Sequence, residues 1–198
     1  KAIVVVLHMG AVEMKDYTDR LLDMIGEGKK ETPKYEKLLQ EGLEKRESRK
    51  EPHMEAAYAF LHALASEASQ RGLKLGIENR EALEEIPFES DFHLFFREFQ
   101  EPSVGYWHDT GHGQIKENLG VIHHAMHVGG LADRLWGFHV HDVAYPGRDH
   151  LVPGTGMMFV HHVATPRTRP WPMALVTSGL VVAVFAMFWP DTHILAVI

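Results

Sequence analysis

Four short apolar runs punctuate the chain, and a polar group closes each of them. Residues 2–7 (AIVVVL) are β-branched and uniformly apolar, which predicts a buried parallel strand ending before His8-Met9-Gly10. Residues 73–77 (LKLGI) predict a second strand that stops at Glu78. Residues 104–108 (VGYWH) predict a third, stopping at Asp109. Residues 135–140 (LWGFHV) predict a fourth, which carries His139 and runs into His141-Asp142. Helix-period segments lie between them. Residues 54–71 alternate small and apolar positions and stop at Gly72, a residue suited to a helix C-terminus. Ser90 can cap a helix reaching about Phe99, whose Phe92, Phe95, Phe96 and Phe99 pack on the sheet. A further helical stretch is expected over 119–134. Strands alternating with helices predict a parallel α/β architecture.

Two segments depart from this pattern. Residues 29–51 are densely charged in both signs and read as a solvated, helix-prone surface insertion. Residues 157–198 hold only three charged residues, Arg167, Arg169 and Asp191, in 42 positions. Within that tail, 173–189 is uncharged and apolar, at the short end of what crosses a bilayer. A frame disruption or truncation near residue 157 is the expected explanation, with a membrane tether at 173–189 second. The organisation expected is a first unit over 1–156 and an atypical tail over 157–198.

Composition narrows the chemistry. The chain has 198 residues, a net charge of -7 and no cysteine. Disulfides and zinc–thiolate sites are excluded. Nothing carries the electrostatic footprint of a nucleic-acid binder. The chain opens at Lys1 with no basic segment before the apolar run, so a signal peptide is not expected and a cytoplasmic location is. Eleven of the 15 histidines follow residue 100, and histidine enrichment draws attention to metal or acid–base chemistry.

The strand ends concentrate that chemistry. His8, Glu78, Asp109 and His139 each close a predicted strand, and the last three are 31 and 30 residues apart. A (β/α)8 barrel spends about 30 residues on each unit and gathers its strand ends on one face. The spacing therefore predicts a partial TIM barrel of about four central βα units. Converging carboxylate oxygens and imidazole nitrogens, with no sulfur, suit manganese, magnesium, cobalt or zinc. Two local motifs add to the set. Asp109-Thr110-Gly111-His112 places an imidazole three residues after a carboxylate, and Arg148-Asp149-His150 leads into the rigid Pro153-Gly154-Thr155-Gly156 turn. His108 is expected to face the helices instead. His123, His124 and His127 read as a partly exposed helix face.

The segments LGIEN (75–79), GYWHDTGH (105–112), GFHVHD (137–142) and RDHLVPGTG (148–156) resemble the sugar phosphate isomerase/epimerase group of xylose-isomerase-like TIM barrels. VVVLHMG (4–10) resembles an earlier strand of the same barrel. The resemblance runs over residues 2–156, with 29–51 fitting poorly. It implies that the strands present are the fourth to seventh of the barrel. It implies metal-ligand positions at Glu78, Asp109 and His139, a substrate or additional-metal position at His112, and further site histidines at His8 and His150. Glu78, His112 and His141 are the candidate catalytic groups. Arg148 stands where the family's first aspartate before the PGxG turn is expected, which departs from the three-zinc endonuclease pattern. No glutamate follows Gly156, where the eighth strand's ligand is expected.

The activity implied is metal-dependent isomerisation or epimerisation of a sugar or sugar phosphate, in which a carboxylate moves a proton between adjacent carbons through an enediolate. With the second carboxylate missing, weak or no turnover is expected of this chain. The alternatives are a metal-dependent endonuclease-type phosphodiesterase and a non-catalytic domain that binds metal and ligand. Four parallel strands leave two open edges, so a homo-oligomer is also expected.

Overall fold

The computed structural model describes residues 3–156 and 195–197. Its centre is a parallel sheet. Val4–Leu7 (β1), Lys74–Glu78 (β2), Val104–Asp109 (β3) and Leu135–His139 (β4) pair in that order, and Leu195–Val197 (β7) pairs parallel to β4. Leu7 lies opposite Ile77, Glu78 opposite Trp107, and Asp109 opposite His139. The carboxyl ends of β2, β3 and β4 therefore meet along one edge, and the fold is α/β with the strand–helix order of a partial barrel. Of the tail over 157–198, only β7 is described; the apolar stretch 173–189 lies outside the described residues. No helix among the described residues is long and apolar enough to cross a membrane.

Three helices form around short capping signals. Glu51–Arg71 (α3) buries Met54, Ala57, Leu61, Ala65 and Ala68, a stripe at helical spacing that meets the sheet. It ends at Gly72, whose φ of 63° is left-handed and costs glycine little. Phe92–Glu98 (α4) follows a single 3-10 turn and packs Phe92 and Phe95 against the same side, with the Phe92 ring edge-on to Tyr106 at 4.9 Å. Pro33–Arg49 (α2) starts at Thr32, whose hydroxyl accepts from the Tyr35 amide, with proline at its first position.

This α2 is the charged segment expected to be a surface insertion. Most of it is exposed, yet Tyr35, Leu38, Gly42 and Arg46 are buried. Thr18–Gly26 (α1), which the apolar pattern does not single out, packs beside it. Tyr17, Leu21, Ile25 and Tyr35 join Leu83, Ile115 and Leu119 in a second core cluster, separate from the one beneath the sheet.

Two expectations are corrected. The strand expected over 2–7 is only partly buried: Ile3 is 53% and Val5 39% exposed, because β1 is the outermost strand of the sheet among the described residues. The helical stretch expected over 119–134 holds only one short helix and a 3-10 turn, and a longer helix that the pattern did not mark precedes it. Thr110–Leu119 (α5) begins directly after β3, since the Asp109 carboxylate accepts from the His112 amide at 2.9 Å and so caps it. Gly120, at φ 82°, ends it. His124–Gly130 (α6) and a 3-10 turn then lead into β4. Past β4, Asp142–Ala144 (β5) and Arg148–Leu151 (β6) form an antiparallel hairpin.

Candidate metal centre

Glu78 and Asp109 end neighbouring strands and are 1% and 2% exposed. A buried carboxylate is costly without partners, and here the partners are largely imidazoles. Glu78 Oε1 lies 2.5 Å from His139 Nδ1. Its Oε2 lies 2.7 Å from His8 Nε2 and accepts from Arg80 Nη1 at 3.0 Å. Asp109 Oδ1 lies 2.8 Å from His141 Nε2. Its Oδ2 lies 3.7 Å from His139 Nδ1. Ligand atoms of Glu78, Asp109 and His139 all fall within 4.8 Å of one another, a spacing that one cation can bridge.

The scaffold around these groups is made of backbone and amide contacts. Asn79 clamps β2 to β3: its Oδ1 accepts from the Asp109 amide at 2.6 Å and its Nδ2 donates to the Asp109 carbonyl at 3.0 Å. Its own carbonyl accepts from His112 Nδ1 at 2.8 Å. That bond fixes the proton on Nδ1 and leaves Nε2 as a lone-pair nitrogen, with no hydrogen-bond partner among the described residues. Thr110 Oγ1 accepts from the His141 amide at 3.1 Å and ties the end of β4 to the start of α5. Gly111 makes room for the His141 ring, since a Cβ there would stand 2.0 Å from Cε1.

Electrostatics follow from these contacts. Burial alone would raise the Glu78 carboxyl, but the His139 hydrogen bond and the nearby His112 outweigh it and hold it below the usual range. Asp109 is likewise held down against burial, by the His141 hydrogen bond and by His112. Burial lowers His112, which favours its neutral, ligand-competent form. The bond to Glu78 raises His139. His141 is raised too, because Asp109 outweighs its burial.

The expected residues are thus distributed unevenly. Glu78, Asp109 and His139 meet, with His8 against Glu78 and His112 beside Asp109. His141 groups with Asp109 and His112, but both its nitrogens are engaged, Nε2 by Asp109 and Nδ1 by the His150 amide at 2.9 Å. His150 has a left-handed φ of 55° and stacks on the His141 ring at 4.2 Å, with its side chain 71% exposed. It groups with His141 and Asp149, not with Glu78.

Four residues near the centre were not among the expected ones: Asn79, Arg80, Glu81 and Asp149. Asn79 and Arg80 directly follow Glu78 in sequence, which was the available signal. Glu81 and Asp149 come together with His112 only through the hairpin. Burial and the Asp149 charge raise the Glu81 carboxyl. Asp142 is a further anchor, accepting from the amides of Gly154 and Gly156 at 2.9 Å and so holding the PGTG turn. On the opposite face, His108 bonds Tyr106 Oη at 2.6 Å and His124 Nε2 at 2.8 Å. His124 is therefore buried, where a partly exposed helix face was expected, while His123 is exposed.

No family model matches the chain, and neither does any curated protein. The solved structures similar to it include two of His-tagged D-allulose 3-epimerase from Methylomonas sp., one in complex with D-allulose and one with additional C-terminal residues. Each is 23% identical with a TM-score of 0.44, over 55% of this chain and 35% of the epimerase. The chain spans about a third of the length of the epimerases it matches.

Proposed function

We propose that the chain carries the divalent-cation centre of a sugar or sugar-phosphate isomerase or epimerase. The observation that carries this reading is the convergence of Glu78, Asp109 and His139 at the carboxyl ends of three adjacent parallel strands, with ligand atoms within 4.8 Å. The donor set fits the group: two ionised carboxylates, one imidazole and no sulfur suit manganese, magnesium, cobalt or zinc. His8, against Glu78 Oε2, and His112, beside Asp109, are the next nitrogens within reach, and His150 stands at the rim. A bound divalent ion would supply Lewis acidity to the carbonyl and hydroxyl oxygens of a substrate.

The chain's own groups divide the remaining work. Glu78, kept ionised, can hold the proton taken from the carbon beside a carbonyl. His112 presents Nε2 as a neutral acid–base group on the same side, its ring fixed by Asn79. His141 orients Asp109 through one nitrogen and is itself held through the other, so we assign it to positioning first. Arg80 donates to Glu78 Oε2 at 3.0 Å and so orients that carboxylate. Residues 157–198 hold no glutamate to act as the second base of a two-base mechanism, so weak turnover is expected of this chain.

Metal titration of the purified chain beside the Glu78→Gln, Asp109→Asn double variant tests the reading. The parent should take up about one divalent ion and the variant should bind at least about 100-fold more weakly. Equal affinity in the two proteins would sink it.

A further inference from the structure

The imidazoles around the centre are not held alike. His112 is fixed through Nδ1 by the Asn79 carbonyl, and His141 through Nδ1 by the His150 amide. His139 has no such tie. Its Nδ1 faces Glu78 and Asp109, and its Nε2 carries no hydrogen bond among the described residues. A ligating histidine ordinarily has its second nitrogen bonded to a carbonyl, carboxylate or water, which sets the angle of the ring. The His139 side chain is also 35% exposed, so burial alone does not hold it.

What meets the ring instead is Trp107. The indole and the imidazole stand edge-on, with centroids 5.2 Å apart and planes at 65°. Trp107 precedes Asp109 by two residues on β3, so the two project from the same face of the sheet. It lies opposite Glu78 on β2 and Gly137 on β4, one row below His139. Small residues clear the space for it. Gly137 offers no side chain, and a Cβ at Gly76 would stand 3.1 Å from the Trp107 Cβ and 3.5 Å from its Cε3. A row further down, Trp136 lies over Gly105, where a Cβ would overlap its indole, and Lys74 Nζ sits 5.0 Å from the Trp136 ring centroid. Two indoles thus floor the centre. Trp107 is 2% exposed, and its Nε1 has no hydrogen-bond partner among the described residues. Its contact with His139 is therefore one of ring shape.

Resting on the metal-centre reading above, we infer that Trp107 is a positioning residue: its indole sets the angle of the His139 imidazole and keeps Nδ1 aimed between Glu78 and Asp109. Edge-on aromatic pairs have a preferred geometry, so the contact restricts rotation of the ring as well as filling space. A ring free to turn would carry Nδ1 away from Asp109 Oδ2, which already stands 3.7 Å off.

Titration with Co2+, read by calorimetry and by the visible cobalt spectrum, tests the inference on the parent and three variants. Trp107→Leu should weaken Co2+ binding at least about tenfold, and Trp107→Phe, which keeps a ring, by less than about threefold. Phe95→Leu, a core loss on α4 behind the sheet, should leave affinity and spectrum unchanged. Parent-like affinity in Trp107→Leu, equal losses in the two Trp107 variants, or an equal loss in Phe95→Leu overturns the inference. NMR of the metal-free chain gives a second readout. The His139 Nδ1 proton, bonded to Glu78, should resonate far downfield in the parent and in Trp107→Phe and exchange away in Trp107→Leu; its persistence there overturns the inference. In the parent itself, ring protons of Trp107 and His139 should show a nuclear Overhauser contact, and its absence overturns the inference whatever the variants do. A parent that takes up no Co2+ but shows the expected proton pattern loses the metal reading and keeps this one.

Discussion

Two pairs of buried acids answer the same physical problem in opposite ways. Glu78 and Asp109, at the sheet edge, are countered chiefly by histidines, with Arg80 on a single oxygen of Glu78. Asp91 and Glu89, behind the sheet where α2 and α5 approach the turn before α4, are countered by permanent cations. Arg46 Nη2 lies 2.5 Å and Lys50 Nζ 3.0 Å from Asp91, and Lys116 Nζ lies 2.9 Å from Glu89. Arg46 and Lys116 are themselves fully buried. An imidazole can give up its proton near neutral pH and become a ligand, whereas a guanidinium cannot. The first pair is therefore open to a metal ion, and the second is committed to the fold.

The largest expected effect separates the two directly. Asp91→Ala strands the Arg46 charge in the interior and should cost about 3–5 kcal/mol in urea unfolding. A loss below about 1 kcal/mol would show that the buried cluster is not structural and remove one side of the contrast.

The next effect is in pH. Burial, reinforced by the Lys116 charge, pulls His127 down to about 4. Its folded value lies below its unfolded one, so the neutral ring stabilises the fold above about pH 6.5 and that contribution drains away as pH falls toward 4. Between pH 7 and 5 the loss should be about 1–2 kcal/mol, and His127→Gln should flatten the slope. Asp91 is shifted the same way but in a more acidic window. Arg46 and Lys50 outweigh its burial and lower it, so its contribution is full above the ordinary carboxylate range and drains away as pH falls through that range toward its lowered folded value. An unchanged slope in His127→Gln would place the pH response elsewhere.

The smallest expected effect is on the other side of the contrast. Glu78→Gln removes one of two neighbouring carboxylates and should change stability by less than about 1 kcal/mol in metal-free protein. A loss as large as that of Asp91→Ala would make Glu78 a structural acid and erase the distinction.

The same contrast explains what was legible in the sequence. The strand-end acids were visible because each follows an apolar run of the same length at the same interval. The Arg46–Asp91 pair was not, because 45 residues separate its members and Arg46 sits within a segment whose composition is that of a solvated helix. Charge density along α2 conceals that one position in each helical turn faces inward. The start of α5 was missed for a related reason: its cap is Asp109, a residue already claimed by the site, and the glycines after it weaken the helical pattern. Glu81 and Asp149 were invisible as a pair, since only the β5–β6 hairpin brings them together.

Taken alone, the sequence determined the alternation of strand and helix, the polar residue that closes each strand, and the supply of oxygen and nitrogen donors without sulfur. These are local properties, set by side-chain period and chemical type. Tertiary structure decided which donors share a space, which tautomer His112 adopts, which helix start is already filled by acid, and which charges are permanent partners. Those depend on pairing register and on contacts between segments far apart in the chain, which no local pattern encodes.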